Sequence, residues 1–487
     1  MHKTKEVLRQ IGVYASSTFA AQFITLVTAV VSRRILGPVQ TGIWATLQVV
    51  VEYSKYSTLG VMEAVGREIP FYLGKGDDVR AHEIKNLAFS FILTTSLVIA
   101  FLITFFALGS RHIYRSEVVM GLFLVAAIII LQRVNNLLIC ILRAFKKFSV
   151  ESSQMVWSAI VNALLIMALT YRFQIYGFIF AMGLSFVFNI VYLMKKHSFE
   201  FHWQLNWGKL RPLMAFGLPL MSLGLLVTGI RSLDRIFLAK CLGFEAVGFY
   251  SIALMACGYI NNFSIAIGTV LFPHGQEKFG VAERHSDMAG FLKKSSVGYA
   301  LAMPAVIGAA AVLTPFAVSA FLPKFMGSLD AMRFLVLSSF FMALFQPYYD
   351  LLIMIRRYWI LFPFLGSSLL VSFALYYGAL KTGFGITAFA AVNCIVFFMM
   401  FSVLFFIAGR HVWNFKKALA LYVRLLSCFF YGASFVFVLA RFFSEPDWTR
   451  ASLLVQGGLY LAFIAPLMFV LDRQYSLFAM IVSKFKK

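Results

Sequence analysis

Runs of about twenty apolar residues, repeated along the whole chain, constrain this sequence more than any other feature. A helix crosses the hydrocarbon core of a bilayer with roughly 20 such residues. The 487-residue chain reads as fourteen of these runs, the first centred on Phe23 and the last on Phe463. Only 13% of its residues are charged and 61% are hydrophobic, whereas a soluble domain carries about 25% charged residues. The longest hydrophilic interruption, residues 195–211, is too short to be a separate soluble domain. The expected fold class is therefore all-α: a polytopic membrane protein of about fourteen transmembrane helices.

Lys and Arg set the orientation, because basic residues are retained on the cytoplasmic side. With the N-terminus inside, 28 Lys and Arg fall in inside segments and 10 in outside ones. That asymmetry places both termini in the cytoplasm and favours an even number of spans. The charged start, Met1 to Gln10, leads into an apolar run without a small-residue cleavage site and reads as the cytoplasmic end of the first span. The net charge of +23 is spread over short connecting segments. It points to anionic membrane lipids as partners and not to nucleic acid. Cys140, Cys241, Cys257, Cys394 and Cys428 sit in or beside apolar runs at no metal-binding spacing, as small fillers do.

The chain repeats itself at long range. Leu36-Gly37-Pro38-Val39-Gln40-Thr41-Gly42-Ile43-Trp44 and Leu242-Gly243-Phe244-Glu245-Ala246-Val247-Gly248-Phe249-Tyr250 share the pattern LG-x4-G followed by apolar and aromatic residues, 206 residues or six spans apart. Glycine supplies the backbone angles of a tight connection between helices. Two parallel six-helix halves follow, a common transporter plan. The expected organisation is an N-terminal lobe over residues 1–194, a linker over 195–211, a C-terminal lobe over 212–409, and two accessory helices with a basic tail over 410–487.

Ionisable groups at membrane depth cost roughly 2.5–3.5 kcal/mol each on insertion scales, so they face a partner or a wet cavity. The second span carries Glu52, Lys55 and Glu63; Glu52 and Lys55 are three apart and can pair. The seventh carries Arg231, Asp234 and Arg235, where Asp234 matches Arg231 and leaves Arg235 as excess positive charge. The fourth has Arg133 beside Asn135 and Asn136, the eighth Asn261 and Asn262, and the tenth Asp350 beside Tyr348 and Tyr349. Any one of these groups can simply glue helices together or snorkel from a span end. As a set they describe a polar lumen with more Arg and Lys than acid, suited to an anionic substrate such as a diphosphate. All eight histidines lie in connecting or terminal segments. Neither a zinc-site HExxH nor a Walker A sequence is present. Catalysis, a resident metal and a cofactor are not expected.

Ser232-Leu233-Asp234-Arg235, running on to Leu242-Gly243 and Val247-Gly248-Phe249-Tyr250-Ser251, resembles the seventh-span signature of bacterial polysaccharide flippases. So does its lead-in, Leu213 to Leu220 with Gly217 and Pro219. Ser32-Arg33-Arg34-Ile35-Leu36-Gly37-Pro38 is similar to the first-hairpin signature of that family, and Arg143-Ala144-Phe145-Lys146-Lys147-Phe148 to its fourth-span exit. The resemblance runs to about residue 410 through degenerate motifs. The family belongs to the multidrug/oligosaccharidyl-lipid/polysaccharide exporter superfamily. The resemblance implies two six-helix lobes, alternating access, and transfer of a polyprenyl-diphosphate-linked oligosaccharide from the cytoplasmic to the periplasmic leaflet of the inner membrane. Glu52/Lys55 matches no motif of the family.

On this reading Arg133, Arg231, Arg235, Lys55, Asn261 and Asn262 bind diphosphate or sugar. Glu52, Asp234 and Asp350 are candidates for coupling to a cation, proton or sodium. The competing readings are a multidrug or small-molecule antiporter, a lipid II flippase, and a membrane-bound polymerase or ligase. The last lacks the large outside loop such enzymes need.

Overall fold

A computed structural model describes residues 2–281, 289–355, 357–442 and 450–475. Its regular structure is helical throughout, with no strand among the described residues: α1 (His2–Ser54), α2 (Val61–Gly74), α3 (Asp78–Gly109), α4 (Ser116–Ala144), α5 (Phe148–Lys196), α6 (Trp207–Cys241), α7 (Gly243–Val281), α8 (Ala289–Phe321), α9 (Leu329–Met354), α10 (Leu361–Leu380), α11 (Gly385–Gly409), α12 (Phe415–Phe442) and α13 (Arg450–Tyr475). Among the described residues eleven helices are long and apolar enough to cross a membrane, and α13 holds a shorter apolar stretch, Val455–Leu467. The chain is a multi-pass membrane protein.

The two longest helices, α1 and α5, are each interrupted by a residue with non-helical backbone. α5 has 49 residues and breaks at Gln174, where φ is 52°. The Ser185 hydroxyl donates to Asn162 Oδ1 at 2.9 Å, and the Tyr192 hydroxyl donates to Ser153 Oγ at 3.0 Å. In an unbroken helix those pairs would stand about 35 and 58 Å apart at 1.5 Å per residue. α5 is therefore a hairpin of two antiparallel arms. α1 has 53 residues and breaks at Gly37, where φ is 71° and ψ 179°, followed at once by Pro38. Both of its arms lie on α5: Thr18 meets Met155, and the Trp44 ring packs edge-on against Phe178 at 5.2 Å.

Both copies of the LG-x4-G repeat put their first glycine at a positive φ where a helix is interrupted or begins. Gly37 breaks α1, and Gly243, with φ 82°, joins α6 to α7. An L-residue with a side chain is disfavoured at either position.

The chain divides into two compact units, Met1–Arg235 and Ile236–Lys487. In the first, α2, α3 and α4 pack through Val61, Ala64, Ile69, Ile84, Leu87 and Ile141. The expected linker over 195–211 is a strap tied down on α3. Lys85 Nζ donates to the Glu200 carbonyl at 2.6 Å, the Gln204 N–H donates to Ser90 Oγ at 2.8 Å, and Phe201 stacks on Phe89 at 4.2 Å. In the second unit α9 is the most enclosed helix, with Phe340, Phe341, Leu344 and Tyr348 all buried. α12 and α13 lie on α8: Gly432 abuts Pro304, and the Tyr460 hydroxyl donates to the Ala305 carbonyl at 3.0 Å. Rows of exposed phenylalanine such as Phe101 and Phe105, each 69% exposed, mark a lipid-facing surface.

Candidate substrate cavity

The stretch from Glu52 at the end of α1 to Gly60 at the start of α2 meets α6 in reverse order, from Arg235 back to Gly217. At one end the Arg235 guanidinium clasps Glu52 in two-armed fashion, Nη1 to Oε1 at 3.1 Å and Nη2 to Oε2 at 2.8 Å. Further along, Tyr53 Oη lies 2.9 Å from Ser232 Oγ, Lys55 Nζ donates to Thr228 Oγ1 at 3.3 Å, and the Tyr56 hydroxyl donates to the Gly224 carbonyl at 2.6 Å. At the far end Gly60 meets Gly217 so closely that a Cβ on either would overlap the other's backbone. Such an approach is open only to glycine. The Gly217 of the sequence motif thus has a steric reason.

This seam corrects two sequence expectations. Glu52 does not pair with Lys55; its carboxylate faces α6 and takes Arg235. Arg235 is therefore not excess charge. Helical spacing alone favoured the i,i+3 partner, whereas the bidentate Arg–carboxylate geometry between helices is the stronger bond.

Beside the seam lies a cavity of about 460 Å³, within the ordinary range of ligand pockets. Lys55, Tyr56 and Thr58 form one wall, Arg133, Asn136, Cys140 and Arg143 of α4 another, and Leu220, Met221 and Gly224 of α6 a third. Three cations line it against one acid, Glu63. Arg133 is only 5% exposed. Its Nη2 donates to Gln132 Oε1 at 3.0 Å, its Nε has no partner, and no carboxylate pairs with it among the described residues. A buried guanidinium without a counter-ion is costly, and the space in front of it would be filled most favourably by an anion.

Arg143 differs. Its Nε and Nη2 both donate to Glu151 Oε1, at 2.8 and 2.6 Å. Glu151 stands in the first turn of α5, with its side chain 1% exposed. The sequence places Arg143 in the fourth-span exit motif and gives it no partner, so this pair was not expected. The available signal was weak: an acid eight positions on, across a helix break.

The other expected residues are not among those that line this cavity. Asp234 is fully buried and its Oδ1 accepts the backbone N–H of Arg235 at 2.7 Å, while Arg231 is exposed. In the second unit Asn261 is half-buried and Asn262 exposed on α7. Asp350 of α9 accepts a hydrogen bond from Gln346 Nε2 at 2.8 Å.

Comparison with known proteins bears on this arrangement. Residues 7–275 match the family described as polysaccharide biosynthesis protein. A search of curated proteins finds no match. Among solved structures, the chain is similar to the lipid II flippase MurJ in an inward closed conformation, with 15% identity and a TM-score of 0.67 over 95% of this chain and 99% of that one. It is similar to an inward-facing multidrug resistance MATE family transporter of the MOP superfamily, with 14% identity and a TM-score of 0.64 over 82% and 95%. It is also similar to the Vibrio cholerae MATE transporter VcmN in the bent form, with 14% identity and a TM-score of 0.58 over 84% and 98%.

Proposed function

The chain belongs to the polysaccharide biosynthesis protein family, and on that premise we propose that it is a flippase for polyprenyl-diphosphate-linked oligosaccharide. It carries the repeat unit of an O-antigen, capsule or exopolysaccharide from the cytoplasmic to the periplasmic leaflet of the inner membrane by alternating access. Both termini are cytoplasmic. Each arm of α1 and of α5 is one crossing and α13 is another, so that the chain crosses fourteen times. Residues 1–194 and 212–409 are its six-helix lobes, and 410–487 hold the accessory pair.

The observation that carries this reading is Arg133, buried with no carboxylate partner among the described residues, against a cavity that also presents Lys55. Arg133 and Lys55 hold the diphosphate. Arg231, Asn261 and Asn262 are candidates for sugar contacts along the path. Arg235 serves the closure of the seam, through Glu52. Asp234 and Asp350 remain the candidates for coupling to a proton or sodium gradient, together with Glu52 when the clasp opens.

Lipid II translocation is the second reading, favoured by the near-complete match in length to the lipid II flippase. A multidrug antiporter for organic cations is disfavoured by the cationic lining. Depleting the protein and weighing the polyprenyl-linked lipids separates the three. Accumulation of one lipid-diphosphate oligosaccharide with loss of the matching surface polymer is the expected result. Accumulation of the peptidoglycan precursor would turn the reading to lipid II. An unchanged lipid pool with changed dye efflux would replace it with the antiporter.

A further inference from the structure

The α4–α5 corner has a feature that the diphosphate reading does not use. α4 ends in a tight turn: Lys146 takes φ 58°, and the Lys147 N–H donates back to the Leu142 carbonyl at 2.8 Å. The turn folds the first residues of α5 back beside the last turn of α4. Glu151 thereby meets Arg143 across eight residues of chain.

The two partners have opposite environments. The Glu151 side chain is 1% exposed, whereas that of Arg143 is 54% exposed and lines the cavity. An arginine that swung away would strip a buried carboxylate of this ion pair, which is strongly unfavourable. Arg143 is therefore held in one orientation. An exposed arginine without such a hold loses its rotamer freedom each time it binds an anion; here that freedom is already lost on folding. The pair is also neutral in sum, so Arg143 offers directed N–H donors while Lys55 and Arg133 supply the net charge.

We infer that Glu151 is a positioning residue for anion binding: it holds Arg143 at the mouth of the cavity as a fixed donor to the diphosphate. This rests on the diphosphate reading above. The idea makes a sign prediction. If Glu151 acted only through its charge, neutralising it would tighten anion binding. If it acts by holding Arg143, neutralising it weakens binding although a negative charge has been removed.

The test is calorimetric titration of inorganic diphosphate into the purified full-length protein in detergent, with thermal melting of each variant alongside. Wild type should bind, Glu151→Gln should bind about ten-fold more weakly, and Arg143→Ala should lose a similar factor. In the Arg143→Ala background, Glu151→Gln should change nothing further, because its effect runs through Arg143. Should Glu151→Gln fail to fold, Glu151→Asp is read instead: it keeps the buried charge but shortens the reach, and should also weaken binding. Equal or tighter binding by the Glu151 variants, or additive losses in the double variant, would overturn the inference alone. A wild-type protein that binds no diphosphate would overturn the functional reading and this inference with it.

Discussion

Arg133 and Arg235 are both arginines at membrane depth, and the sequence marks Arg235, not Arg133, as the unmatched charge. The structure separates them by partner. Arg235 is committed to Glu52, while Arg133 is buried against open space. Different mutational signatures follow. Arg133→Met removes an uncompensated buried charge and keeps its volume. Its melting free energy should stay within about 1 kcal/mol of wild type or rise, while transport in cells falls at least ten-fold. Glu52→Gln breaks a half-buried pair and should cost roughly 1–3 kcal/mol, less than the 3–5 of a fully buried pair. Exchanging the two charges, Glu52→Arg with Arg235→Glu, should recover part of that loss. Thermal melting in detergent reads both.

At the scale of elements, hydropathy located the apolar runs, and the glycine repeat located the break in α1 and the junction of α6 with α7. These were legible because lipid demands continuous apolar length and tight connections demand glycine. The pairing of Glu52 with Arg235, and of Arg143 with Glu151, was not legible. Each joins different helices, and a sequence encodes which residues share a helix face far better than which helix that face meets. The α5 break at Gln174 falls between two of the apolar runs, and Gly177 makes its turn possible, since a Cβ there would overlap the Leu169 backbone. The hairpin is testable: with native cysteines replaced, Asn162→Cys and Ser185→Cys should cross-link within the chain under mild oxidation. A straight 49-residue helix would hold those positions too far apart to react.

For the whole molecule, the 28-to-10 division of Lys and Arg predicts both termini on one side, in the cytoplasm. Reporter fusions at each terminus should be active only as cytoplasmic reporters. A periplasmic signal from one terminus alone would mean an odd number of crossings and would contradict the even count. The first glycines of the two repeat copies both take a positive φ, 71° at Gly37 and 82° at Gly243.

The central claim is that the cationic cavity holds the diphosphate of a lipid-linked glycan, and native mass spectrometry of protein extracted gently from its own membrane addresses it most directly. Wild-type protein should carry an adduct with the mass of a polyprenyl-diphosphate oligosaccharide, and the equally stable Arg133→Met protein should lack it. Wild-type protein with no such adduct, or an adduct retained undiminished by Arg133→Met, would contradict the account.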